Sequence, residues 1–349
     1  MKRFGLRHLL TICAFLIVAG LILADESKPG YHLIKRYDIG GGDGKTEYWD
    51  YITFDETSGR LYLSHNTEIT VVDAASGRVV GTVSDVKRGH GIALVTDLGR
   101  GYISSGGTNE VVVFDVTTLK VIARIKVGGN PDCIIYDPAS SHIFAMNGET
   151  NSASVIDPVK ESVLATVPLG GRPEFAVADG RGMIYDNIED KNEVVALDTR
   201  SLTIKNRWPI APAAGATAMA MDKEHRRLFI GGRNKVFAIM NADNGQVVQT
   251  FPIGAGVDAN IYEASSGLVF SAMRDGTLYL FHEDSSDKFS QVEIVHTQLG
   301  ARNIAIDPKT HKLFSDTVDF GAAPAPTAAQ PNPQPSPVPG TFHLLVYQR

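Results

Sequence analysis

The sequence predicts an all-β fold of seven four-stranded antiparallel units closed into a ring, a seven-bladed β-propeller, and three observations carry that prediction. Short apolar runs ending on a polar turn recur at a fixed period, closing on Asp73, Asp115, Asp157, Asp198, Asn241 and His282, which are 42, 42, 41, 43 and 41 residues apart. An independent aromatic series, Tyr62, Tyr102, Phe144, Tyr185, Phe229, Phe270 and Phe314, has spacings of 40, 42, 41, 44, 41 and 44. Between the apolar runs lie turn sequences and no convincing amphipathic helix. A period near 42 with four short strands per unit is a blade that cannot cover both of its faces without neighbours.

The elements follow in chain order. Residues 1–8 are basic, and 9–24 are apolar except for Thr11, Cys13 and Gly20. Asp25-Glu26-Ser27 then returns to polar sequence, which is the order of a secretory signal peptide at 1–24. Ile22-Leu23-Ala24 matches the small-x-small cleavage pattern poorly, so an uncleaved N-terminal membrane anchor is the alternative. Either way the folded part, 25–349, is expected to be exported, periplasmic or secreted. The segment 31–39 resembles the outermost strand of later units. The last unit has a third strand at 342–347 and lacks a fourth, so 31–39 is expected to complete it and close the ring, removing exposed edges.

Within a unit the strands are an inner one such as 52–54, an aromatic one such as 60–64, a Val-rich one such as 69–73 and a more polar one such as 78–83. The turns 55–59 and 73–77 each open on Asp, whose carboxylate accepts from backbone N–H groups ahead of it, and end on Gly, which tolerates positive φ. Inner strands are expected from Tyr48, Gly89, Asn130, Arg172, Gly215, Val257 and Gly300. Residues 322–340 interrupt the last unit with seven prolines and read as an extended or disordered loop on the face where inner strands begin.

Composition narrows the function classes. At 43% hydrophobic and 21% charged the chain is ordinary for a globular protein. Without the basic leader it carries 30 basic against 39 acidic residues, which disfavours nucleic acid as a partner. The Glu224-His225-Arg226-Arg227 stretch with Arg233 and Lys235 is the densest basic patch, and its acidic neighbours make it read as a solvated turn. Cys13 and Cys133 are the two cysteines, so the mature chain has no internal disulfide, and Cys133 reads as a small buried hydrophobe. There is no C-x-x-C-H, so covalent haem is not expected.

The repeated V-x-V-I/V-D strand ends resemble the YVTN-repeat seven-bladed propellers, also called YncE-like. So do the junctions Gly128-Gly129-Asn130-Pro131 and Gly170-Gly171-Arg172-Pro173, and the segment 61–66. The resemblance covers about 31–349, although the literal Y-V-T-N string is degenerate. It implies the propeller fold and export. Its wider relatives include lactonases, antibiotic lyases, cofactor-bearing dehydrogenase subunits and proteins without known chemistry, so it selects no reaction.

Aligning the units on the residue that ends each inner strand (Asp55, Val95, Asp137, Asp179, Asp222, Glu263, Asp307) and stepping back five gives Asp50, His90, Asp132, Glu174, Thr217, Asp258 and Arg302. In a closed ring these should encircle one mouth of the axial channel. Three readings stay open: a polar solvated funnel, a divalent cation held by Asp50, Asp132, Glu174 and Asp258, or acid/base chemistry by His90 or a carboxylate with Arg302 holding an anionic group. Tyr48, Trp49, Tyr51 and Phe175 lie beside the ring and suit either a ligand wall or packing between blades. His65 and Asn66 are expected in a loop on the same face. The expectation is a monomeric binding protein for a small molecule or an exported protein partner, with the acidic axial mouth as the ligand site. The alternatives are a metal-assisted lactonase-like hydrolase or lyase using the same residues, and an interaction scaffold.

Overall fold

Asp-led turns set where each inner strand stops. Asp55 accepts the Thr57 N–H (2.9 Å) and the Ser58 hydroxyl (2.6 Å), and Asp137 accepts the N–H groups of Ala139 and Ser140 (3.3 and 3.0 Å). Blade 2 has Val95 in this place, and the turn is instead a 3₁₀ segment, Thr96–Leu98, closed by Gly99 in the left-handed region (φ 63°). In the computed structural model, which describes residues 30–41, 47–327 and 331–349, these turns join strands into seven four-stranded antiparallel sheets. The proposed signal segment lies outside the described residues. Among those residues no helix is long and apolar enough to cross a membrane.

Six blades are consecutive in sequence, at 49–83, 89–126, 131–168, 173–209, 216–252 and 257–296. The seventh combines Asn303–Asp307, Lys312–Thr317 and His343–Gln348 with His32–Asp38, which pairs antiparallel to His343–Gln348 from His32↔Gln348 to Asp38↔His343. The N-terminal strand therefore closes the ring as its outermost strand. Inner strands begin within a residue of the expected positions in six blades and at Asn303 in the seventh.

The aromatic series is the core between blades. All seven members are at most 1% exposed, and burial of each contributes about 2 kcal/mol. The apolar clusters bridge neighbours: Tyr185 and Val194 of blade 4 pack with Met219 and Leu228 of blade 5, and Leu61 of blade 1 packs with Phe314 and Leu344 of blade 7. Polar side chains reinforce the same interfaces, with Ser64 donating to the Gly89 carbonyl (2.5 Å) and Asn187 to that of Ala218 (3.2 Å). Cys133 is buried at the interface of blades 3 and 4, as expected of a small hydrophobe.

Candidate functional site

All seven ring positions line one axial cavity of about 530 Å³. Backbone geometry explains how they are aimed. In six blades the pairing of inner and second strands slips around the ring residue, as between Trp49 and Ile52 or Pro131 and Ile134, a β-bulge that redirects a side chain. In five blades the residue two positions earlier (Arg88, Asn130, Gly215, Gly256 or Gly300) is in the left-handed region. For Arg88 and Asn130, which carry a Cβ, that conformation is uncommon.

The ring residues are not equivalent. Asp50 Oδ2 lies 2.6 Å from His90 Nδ1 and accepts the Tyr48 hydroxyl at 2.9 Å, while Asp132 Oδ1 stands 3.5 Å from the same nitrogen. Burial raises the Asp50 pKa, but bonding to His90 and the charges of His90 and Arg302 outweigh it and hold the carboxyl below its ordinary value. Burial disfavours His90 as a cation, yet Asp132 and Asp50 bring its pKa above the usual imidazole value. Asp132 is pushed up to about 6 by burial, opposed by His90 and helped by Asp50 and Asp258. Glu174 is pushed up to about 9 by burial, by Asp132 and by Glu189, so it holds a proton at neutral pH.

Arg302 is buried and donates from Nε to Asp258 Oδ2 and from Nη2 to the Trp49 carbonyl (2.6 Å), with its guanidinium 4.9 Å from the Trp49 ring centroid. Thr217 commits its hydroxyl to the Val257 carbonyl of the next blade (2.6 Å) and acts there as a packing residue. Tyr51 and Phe175, one residue beyond ring positions in blades 1 and 4, stack across the axis with centroids 5.6 Å apart. The beside-ring aromatics thus divide: Tyr51 and Phe175 stand in the channel, Tyr48 joins the polar cluster and Trp49 packs under Arg302.

Of the proposed cation ligands, only Asp50 and Asp132 come together, and they do so with His90, their donor atoms lying within 4.8 Å of one another. That trio, two carboxylates and an imidazole, suits a divalent transition metal. Glu174 and Asp258 are drawn instead to arginines. Arg172 and Arg233 approach Glu174 at 3.5 and 3.6 Å, and Arg274 approaches Asp258 at 3.6 Å.

Those arginines are what sequence reasoning missed. Arg88, Arg172, Arg233 and Arg274 join Arg302 around the cavity, so five guanidiniums face four carboxylates. Arg88 and Arg172 sit two residues before ring positions, outside the aligned column, while Arg233 and Arg274 directly follow second strands. The basic patch that seemed one solvated turn is divided by the strand Arg227–Gly232, which carries Arg233 to the mouth and leaves Arg226 and Arg227 on the opposite face. There Arg226 binds Asp179 and the Tyr185 hydroxyl, and Arg227 binds Asp287. A signal existed: an arginine one residue after a second strand recurs as Arg233 and Arg274, 41 residues apart.

His65 is buried at the end of a strand, 2.6 Å from Glu47 and stacked on Phe342, and Glu47 accepts the Gly340 N–H at 2.5 Å. The base of the Pro-rich loop is thereby anchored beside the mouth. Phe320 packs against Trp49, and Gly321 and Val338 bond to Ser336 and Asp319 as a short ribbon. Residues 328–330 of the loop lie outside the described residues.

No protein-family model matches the chain, and no curated protein matches it significantly. Among solved structures it is similar to a chain of one described as "Crystal Structure of Mitotic Checkpoint Complex", with a TM-score of 0.71 and 15% identity over 100% of this chain and 99% of that one. It is one of 1839 chains with significant similarity, so the propeller fold is shown and is too widely shared to select a function.

Proposed function

We propose that this chain is an exported, monomeric propeller of the YVTN-repeat type that binds a small anionic molecule, carrying a carboxylate or phosphate group, in its axial funnel. The observation that carries the reading is the pair Arg233 and Arg274. They line one recess of about 380 Å³ beside the main cavity together with Asp258. Burial and the charge of Arg302, with a smaller share from Arg233, outweigh Asp258 and Asp50 and hold Arg274 below the usual guanidinium pKa. Arg233 has its nearest carboxylate in Glu189 (2.7 Å) and Arg274 in Asp258 (3.6 Å), yet more than half of each side chain stays accessible, so both can also meet an anion, whose carboxylate or phosphate oxygens guanidiniums match in geometry as well as charge. Glu174, protonated at neutral pH and hydrogen-bonded to Glu189, adds no charge that would repel the ligand. The stacked Tyr51 and Phe175 offer an apolar surface to the rest of the molecule.

Calorimetric titration with inorganic phosphate and succinate, beside putrescine as a cationic control, tests this directly. Saturable binding of an anion is expected, weakened roughly a hundredfold in the Arg233→Gln/Arg274→Gln double variant, the loss of two charge-assisted contacts. Binding of putrescine with no response to either anion refutes it. A second reading, acid/base turnover of the bound molecule, is favoured by the contiguous Tyr48, Asp50 and His90 contacts at 2.6–2.9 Å. It predicts that His90→Asn abolishes turnover and leaves anion affinity within a few-fold of the parent.

A further inference from the structure

On the face opposite the funnel, three side chains from two blades converge on one point. Asp222 ends the inner strand Ala216–Asp222 of blade 5, His225 lies in the turn that follows, and Glu283 projects from the strand Thr277–Ser285 of blade 6. His225 Nδ1 is 2.8 Å from Asp222 Oδ2 and 3.0 Å from Glu283 Oε1, and the three atoms lie within 4.8 Å of one another. An imidazole Nδ1 carries at most one proton. When that proton goes to Asp222, Glu283 Oε1 is left without a hydrogen-bond donor, although Glu283 is only 9% exposed and Asp222 2%. A buried carboxylate oxygen aimed at a nitrogen already engaged elsewhere is costly, and a cation shared by all three atoms removes the cost.

The outer contacts are those of a built site. Asp222 is fixed by the N–H groups of Glu224 and His225 (2.9 and 3.0 Å), and Tyr262 donates to Glu283 Oε2 at 2.7 Å, leaving Oε1 to the cluster. His225 is partly exposed, with 45% of its side chain accessible, so solvent can supply a fourth ligand.

We infer that Asp222, His225 and Glu283 form a binding site for a divalent transition metal, Zn²⁺ by chemical class, which ties blade 5 to blade 6. One imidazole and two carboxylates with an open fourth position suit zinc, and three protein ligands including nitrogen do not suit calcium or magnesium. Metal–ligand bonds near 2.1 Å place tetrahedral ligands roughly 3.4 Å apart, so the separations of 2.8 and 3.0 Å need open by about half an ångström.

The test is titration of metal-free protein with Zn²⁺ by calorimetry and with Co²⁺ by visible absorption, on the parent and on His225→Ala, Glu283→Gln, Tyr262→Phe and His90→Ala. An equivalent that is retained in His90→Ala is expected in the parent, whatever the axial trio takes up besides, and it is lost in His225→Ala and Glu283→Gln. Tyr262→Phe, a positioning change, should weaken it by roughly tenfold. Zn²⁺ should raise the parent's melting temperature and leave that of Glu283→Gln unchanged. The inference fails if the parent takes up no Zn²⁺, if Glu283→Gln binds like the parent, or if the sole equivalent disappears in His90→Ala, which would assign it to the axial trio. Should His225→Ala fail to fold, the isosteric Glu283→Gln decides alone.

Discussion

The two ends of one inner strand carry the same residue type in opposite surroundings. In blade 3, Asp132 opens the strand and Asp137 ends it. Asp137 is fully buried, yet the turn beyond it supplies two backbone N–H groups, so its oxygens find donors locally. Asp132 faces other strands' carboxylates across the axis and is pushed up to about 6. Blade 7 repeats the lesson on its lower face, where burial at Asp307 is outweighed by bonds from Thr310 and Lys309 and the pKa falls below the ordinary value. What separates the ends is the supply of donors rather than burial. Strand ends are stabilised by the turn that follows, whereas strand starts depend on residues from other blades; an added ligand has something to contribute where carboxyl groups of different blades meet, at the starts and at the one end where Glu283 reaches His225 beside Asp222.

Three experiments sharpen or break that contrast. The largest effect is expected from Arg302→Met, which leaves Asp258 without its buried partner and should cost about 3 kcal/mol, the low end for a broken buried pair because Asp258 is partly accessible. A urea midpoint unchanged from the parent would mean the mouth is satisfied by water. Next, Asp137→Ala should cost about 2 kcal/mol through two orphaned backbone donors, and Asp132→Asn less than about 1 kcal/mol in the same assay. Equal losses would erase the distinction between the ends. The third effect appears only as pH rises, a gain in Glu174→Gln. The folded-state pKa of about 9 lies above the ordinary glutamate value of 4.5, so the native state holds a proton that the unfolded state has released between those values, and stability falls as pH rises through that window. The variant should melt higher than the parent at pH 8 and equally at pH 4.

Much of this was legible in the sequence for a physical reason. Strand period and Asp-led turns are local, and repetition converts local signals into a ring, so Asp55 and Asp137 located their strands and the positions five residues before them. The bulges at Trp49–Ile52 and its counterparts depend on pairing register, which no single segment encodes. The arginines escaped because charge at a mouth is assembled from loops of separate blades, and Arg233 read in sequence beside Arg226 and Arg227 seemed their neighbour when a whole strand separates them. The Asp222, His225 and Glu283 cluster was invisible for the same reason, one ligand coming from the next blade.

Ring closure also bears on the order in which the molecule is made. His32 precedes Gln348 by 316 residues in the chain, yet the two are paired in one ladder. Six blades have neighbours to fold against while the chain is still growing, but the seventh waits for its final strand, and the segment 32–38 must stay unengaged until then. Contacts of such long sequence separation form late. Partly made chains therefore present an open ring with exposed strand edges at both ends of the arc, the state in which such edges invite pairing with other chains. Shortening the time between the sixth blade and His343–Gln348 is then a matter of yield rather than of stability, and the 25-residue connection from Thr317 to His343 lengthens that interval.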